Sequence, residues 1–251
     1  MPDPVVIPPH GLSAWKGVAI LAAYLSTQVV ASILLGGTVL IWMILIGVLD
    51  IQDQLQFEQA QTQIMPPILL LSTLISFGVV VGLVLKLAPP AFLDCSPQGV
   101  GWARGDGRSL RLAALTGGLL AGLYLLLSST YPPSPHLPLS PLVDMATTPG
   151  LARWIWVVLA LGVAPLGEEL LFRGILLGSL VQSVGSKLAA VGTTLLFVVL
   201  HADALLYWPA LLGIGALAIT CILFRWKSQA LGPAIAVHLA YNSVIVCSAW
   251  L

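Results

Sequence analysis

Residues 17–49 read GVAILAAYLSTQVVASILLGGTVLIWMILIGVL, thirty-three positions without one charged side chain. A helix needs about 20 apolar residues to cross the hydrocarbon of a bilayer. The run therefore predicts a membrane-spanning helix, and its excess length allows either one tilted helix or a pair interrupted near Gly36-Gly37. Composition extends the reading to the whole chain. Of 251 residues, 58% are hydrophobic and 8% charged, with a mean hydropathy of +1.00. Soluble domains carry roughly a quarter charged residues, so this chain lacks the charge to clothe a soluble surface. An all-α, polytopic bundle of membrane helices is the class left standing.

Working outward, further apolar runs occupy about 68–85, 112–129, 151 into the 170s, 188–200 and onward, 208–224 and 230–251. They give about seven spans, or eight if the first run divides. Residues 1–150 are read as amino-terminal spans with loops, about three in number, and 151–251 as a core of about four. Between the first two runs lies DIQDQLQFEQAQTQIMPP (50–67), read as a loop or an interfacial helix. Loop 86–111 is rich in Gly, Pro and Arg, and YPPSPHLPLSP (131–141) in proline. The opening MPDPVVIPPHGLSAWKG has no basic stretch ahead of its apolar run, and that run is too long for a signal peptide, so a short soluble tail is expected there.

Lysine and arginine set the expected orientation. Lys16, Lys86, Arg104, Arg108, Arg111, Lys187, Arg225 and Lys227 fall on one side of a seven-span arrangement, Arg153 falls on the other, and Arg173 lies within a span. The expectation is an integral protein of the plasma (inner) membrane with its amino terminus in the cytoplasm. Trp15, Trp102, Trp154, Trp208, Trp226 and Trp250 lie near span ends, where amphipathic rings favour the interface. Net charge is zero, so no basic surface for nucleic acid is expected. Cys95, Cys221 and Cys247 match no metal or disulfide spacing. His10 and His136 sit in proline-rich segments and are read as solvated, and Gly117, Gly118 and Gly122 as small residues for close helix packing.

An ionisable group inside a span is costly and marks function by default. Here such groups cluster after residue 160: Glu168, Glu169 and Arg173 in APLGEELLFRG, His201 at the end of FVVLH, and His238 with Asn242 in HLAYN. Glu169 and Arg173 stand four apart in the favourable acid-first order, which predicts an ion pair. Adjacent helical residues point about 100° apart, so Glu168 is left to face a cavity. Pro165 and Gly167 are expected to bend the helix there and open its backbone. Phe197 and His201 share a face, as do His238 and Asn242. At about 1.5 Å per residue, His201 lies roughly 21 Å from Lys187 and His238 roughly 17 Å from Lys227. The corresponding depth of Glu168 is about 20–28 Å, so one site built from three helices is geometrically consistent.

A glutamate remote from bulk water suits a general base. One histidine could orient a water, while the second and the asparagine amide stabilise an oxyanion. These are parts for hydrolysing an acyl or peptide bond. Two histidines and a carboxylate are also the donor types of a zinc site with three protein ligands, although the HExxH spacing is absent. Two other classes compete: a transporter or proton relay, and a non-catalytic immunity or scaffold protein.

EELLFR (168–173) fits EExxxR, FVVLH (197–201) fits FxxxH and HLAYN (238–242) fits HxxxN, in that order and on separate spans. Together they resemble the CPBP family of intramembrane proteases, also called Abi, which includes type II CAAX prenyl endopeptidases and bacteriocin-immunity relatives. The resemblance covers about residues 151–251. It implies helices around a wet cavity, Glu168 as the base that activates water with help from His201, and His238 with Asn242 stabilising the oxyanion. Glu169, Arg173 and Phe197 support the motifs. The implied partners are a membrane-associated peptide or protein substrate and the lipid bilayer. No cofactor is required on this reading, and a divalent metal such as zinc, if bound, would be held by Glu168, His201 and His238.

Overall fold

The computed structural model describes residues 11–50, 52–134, 136 and 141–250. Among the described residues there are helices and no strands. The tail before residue 11, with His10, lies outside them, as does Leu251. Helices α1 (Ala14–Leu45) and α2 (Gln54–Leu87) pack as an antiparallel hairpin. Short α3 (Pro89–Leu93), α4 (Gly107–Thr130) and short α5 (Pro141–Thr147) follow. Then come the fifty-residue α6 (Leu151–Leu200), α7 (Trp208–Ser228) and α8 (Leu231–Ser248). Six of these helices, α1, α2, α4, α6, α7 and α8, are long and apolar enough to cross a membrane. The chain is a polytopic helical membrane protein.

Helix α6 breaks at Gly185, whose φ of +78° and ψ of 163° no helix accommodates and which glycine tolerates without a steric cost. It therefore enters the bundle as two limbs, 151–184 and 186–200, and among the described residues six helices cover the stretches read from the sequence as seven spans. The eighth is not formed, because α1 runs unbroken through Gly36-Gly37. At 32 residues α1 is about 48 Å long against about 30 Å of hydrocarbon, which requires tilt or protrusion. The glutamine-rich stretch is no loop. It forms the opening turns of α2, capped by Asp53, whose carboxylate accepts the backbone N–H of Gln56 at 3.0 Å.

Helix α8 packs more extensively on α4 than any other helix does. A Cβ on Gly117 would collide with the carbonyl of Val237, so this glycine sets how closely the two helices approach. Gly118 lies at ordinary contact distance from Val244 and Gly122 faces open space, so of the three small residues only Gly117 sets the spacing. Part of the basic loop 86–111 is built into the fold. Residues 94–103 fold back into the bundle: Val100 is buried, Leu231 donates its N–H to the Gly101 carbonyl, and Gly232 donates to Ala103. Arg225 holds the same segment from α7. Its buried guanidinium donates through Nη2 to the carbonyls of Ser96 and Gly99, clamping that turn.

The centre of the bundle is 169–176, where all eight residues are buried. Phe172 meets Phe197 edge-on at 5.0 Å between centroids. Ile20 and Leu21 of α1, Val80 and Val84 of α2, Val100 and Leu231 complete the same apolar cluster. A helix apolar on all sides belongs in the middle, and the two charges in this one, Glu169 and Arg173, must find their partners there.

Candidate active site

The first limb of α6 is not a regular helix. Leu159–Val163 and Glu169–Leu176 are wide turns, bonded i to i+5, on either side of the ordinary turn Ala164–Glu168 that holds Pro165. Pro165 lacks an N–H to donate, and widening accommodates a missing bond without a sharp kink. The backbone around Pro165 and Gly167 is thus widened. Such wide turns recur at functional sites.

The expected ion pair is present: Arg173 Nη1 lies 3.0 Å from Glu169 Oε1, both side chains being fully buried. The guanidinium also donates to the Ala218 carbonyl at 3.2 Å and rests 4.2 Å above the Phe197 ring. A second partner escaped the sequence reading. His238 Nδ1 sits 2.9 Å from the same Glu169 oxygen. Helical spacing reports neighbours along one chain segment, and this contact joins residues 69 positions apart.

Glu168 points the other way, as its 100° offset requires. Its Oε2 lies 3.8 Å from His201 Nε2 and 3.9 Å from His238 Nε2. The Glu168 side chain is 24% exposed and that of His201 31%, so the pocket is reachable. The Oε2 atom itself is buried and has no hydrogen-bond partner among the described residues. Both distances exceed a hydrogen bond and suit a bridging polar atom.

Partners fix the rings. His201 caps the second limb of α6, its Nδ1 is 2.7 Å from the Phe197 carbonyl, and its ring lies 4.4 Å from the Phe197 ring. A carbonyl only accepts, so this nitrogen carries the proton and a neutral His201 turns a lone pair toward Glu168. The bond from His238 Nδ1 to the Glu169 carboxylate imposes the same polarity on the second ring. Phe197, the residue one turn ahead of His201, thus orients the site without touching Glu168. Asn242 is set apart: its Nδ2 donates to the Ala160 carbonyl at 2.8 Å.

The donor types, two imidazoles and a carboxylate, suit zinc. The separations do not: ligands about 2.0–2.1 Å from a tetrahedral zinc stand about 3.3–3.4 Å apart, closer than 3.8 and 3.9 Å. Among the described residues no group of three or more His, Cys, Asp or Glu side chains is arranged to hold a metal ion.

Residues 150–244 match the family model described as type II CAAX prenyl endopeptidase Rce1-like. The stretch contains all seven residues singled out above. Neither a curated protein nor a solved structure matches the chain.

Proposed function

From a carboxyl-terminal segment of the Rce1-like family, a family of membrane endopeptidases, we propose that this chain is an intramembrane endopeptidase that cleaves a membrane-associated peptide with glutamate-activated water. The observation that carries the proposal is the convergence of Glu168 Oε2 with the Nε2 atoms of His201 and His238, at 3.8 and 3.9 Å, from three separate helical segments.

Hydrogen-bond accounting supports roles for each group. A carboxylate and two imidazole lone pairs are three acceptors, and a water brings two hydrogens. The set closes when His238 carries the additional proton. Glu169 and Arg173 cancel one another, and His238 with Glu168 then cancel as well, leaving a neutral cluster at a depth where net charge is costly. Glu168 removes one proton from the bridging water while His201 Nε2 accepts a hydrogen bond from the other, which stays on the oxygen, and so aims that oxygen. That oxygen bonds to the scissile carbonyl carbon, and the carbonyl pair moves onto its oxygen. His238 Nε2–H donates to the resulting oxyanion. The carbon–nitrogen bond breaks as Glu168 passes its proton to the departing amine. The products are a new carboxyl end and a new amino end.

The alternating basic loops support placement in a plasma (inner) membrane with the amino terminus in the cytoplasm. The test uses the full chain in detergent and a fluorogenic peptide ending in a farnesylated CAAX sequence, with an unprenylated transmembrane peptide in parallel. Cleavage by the wild type and its loss in folded Glu168→Ala and His201→Ala support the reading. Equal cleavage in all three proteins overturns it.

A further inference from the structure

The contact of Asn242 follows from a bookkeeping of backbone donors in α6. Ala164 donates its N–H to Leu159, five residues back, and so bypasses Ala160. In this wide register the donor due to Ala160 is residue 165, and residue 165 is proline. Proline has no N–H. The helix therefore supplies no donor to the Ala160 carbonyl, at a depth where an unpaired backbone group is costly. Asn242 fills the gap from α8 at 2.8 Å. It stands one turn after His238, so one face of α8 grips α6 on both sides of Pro165: at Ala160, and at the two glutamates.

We propose that Asn242 is a positioning residue whose carboxamide replaces the N–H that Pro165 cannot offer, and that this tie fixes the separation between Glu168 and His238. One amide hydrogen of Asn242 serves the helix in this way. The catalytic part of this proposal rests on the peptidase reading, and the structural part does not.

The test is a double-mutant cycle of the full chain in detergent: wild type, Asn242→Leu, Pro165→Ala and the double variant. An alanine at 165 restores an N–H that can serve Ala160. Unfolding midpoints and hydrolysis of the farnesylated CAAX peptide are measured, with kcat and KM separated. Asn242→Leu is expected to lower the midpoint by roughly 2–10 °C. It should lower kcat about 10- to 100-fold, as a misplaced catalytic group does, with KM little changed. In the Pro165→Ala background the same leucine should cost little in either measure. Equal losses in both backgrounds would overturn the proposal and return Asn242 to direct contact with the substrate. If Asn242→Leu alone does not fold, a folded double variant supports the proposal and an unfolded one defeats it. If the wild type cleaves no peptide, the peptidase reading fails, and the midpoints still decide whether asparagine and proline are coupled.

Discussion

His238 Nδ1 lies 2.9 Å from Glu169 Oε1, the oxygen that also takes Arg173 Nη1 at 3.0 Å. One buried carboxylate atom therefore holds a guanidinium and an imidazole at once. Removing one member of such a set strands a charge. Arg173→Met is expected to destabilise the protein by about 3–5 kcal/mol. The double variant Glu169→Gln/Arg173→Met should cost less than the sum of its single changes, because it strands no charge. Unfolding in detergent measures both.

Glu168 faces the opposite side of the same ring and is not needed for that pairing. Glu168→Gln keeps the shape and removes the base. Its cleavage rate is expected to fall about 10²- to 10⁴-fold, with an unfolding midpoint close to that of the wild type. A large drop in the midpoint would instead make Glu168 a structural partner.

Chelation probes the donor set from another direction. The carboxylate-to-imidazole separations exceed those of a tetrahedral zinc site. Dialysis against a strong chelator is expected to leave peptide cleavage unchanged. Loss of cleavage with recovery on adding zinc would show that the three side chains draw together around an ion.

Acid should weaken a helix start outside the membrane. The Ser109 hydroxyl and backbone N–H, together with the Arg108 N–H, hold the Asp106 carboxyl below its ordinary range and cap α4. A carboxyl lowered in the folded state contributes stability above its unfolded pKa, and that stability fades as the pH falls through and below about 4. The midpoint difference between wild type and Asp106→Ala is therefore expected to shrink on acidification from pH 6 to pH 3.

Membrane physics made much of the fold legible. Apolar runs announce spans because charge is excluded from hydrocarbon, and for the same reason Glu168, His201 and His238 stood out before any coordinates. The long first run gave no decision between one helix and two, since Gly36-Gly37 interrupts hydropathy no more than it interrupts α1. The opening turns of α2 were left between loop and helix because helical hydrogen bonding continues where apolarity stops. The clamp of Arg225 on residues 96 and 99 and the tie of Asn242 to Ala160 join segments over eighty residues apart, beyond the reach of spacing rules. One signal for the second was present: a proline inside a span names a carbonyl that some other segment must serve.

The wide turns of α6 carry a consequence for how this chain can vary. Each holds, in effect, one residue more than an ordinary helix would use. Deleting a single position among 174–176 would let the segment relax to the common pitch with little rotation of one side against the other, whereas a deletion in the ordinary turns 186–196 would swing His201 by about 100°. In the second case His201 would part from Glu168 although no motif residue had changed, so a catalogue of motif residues alone would score such a descendant as intact.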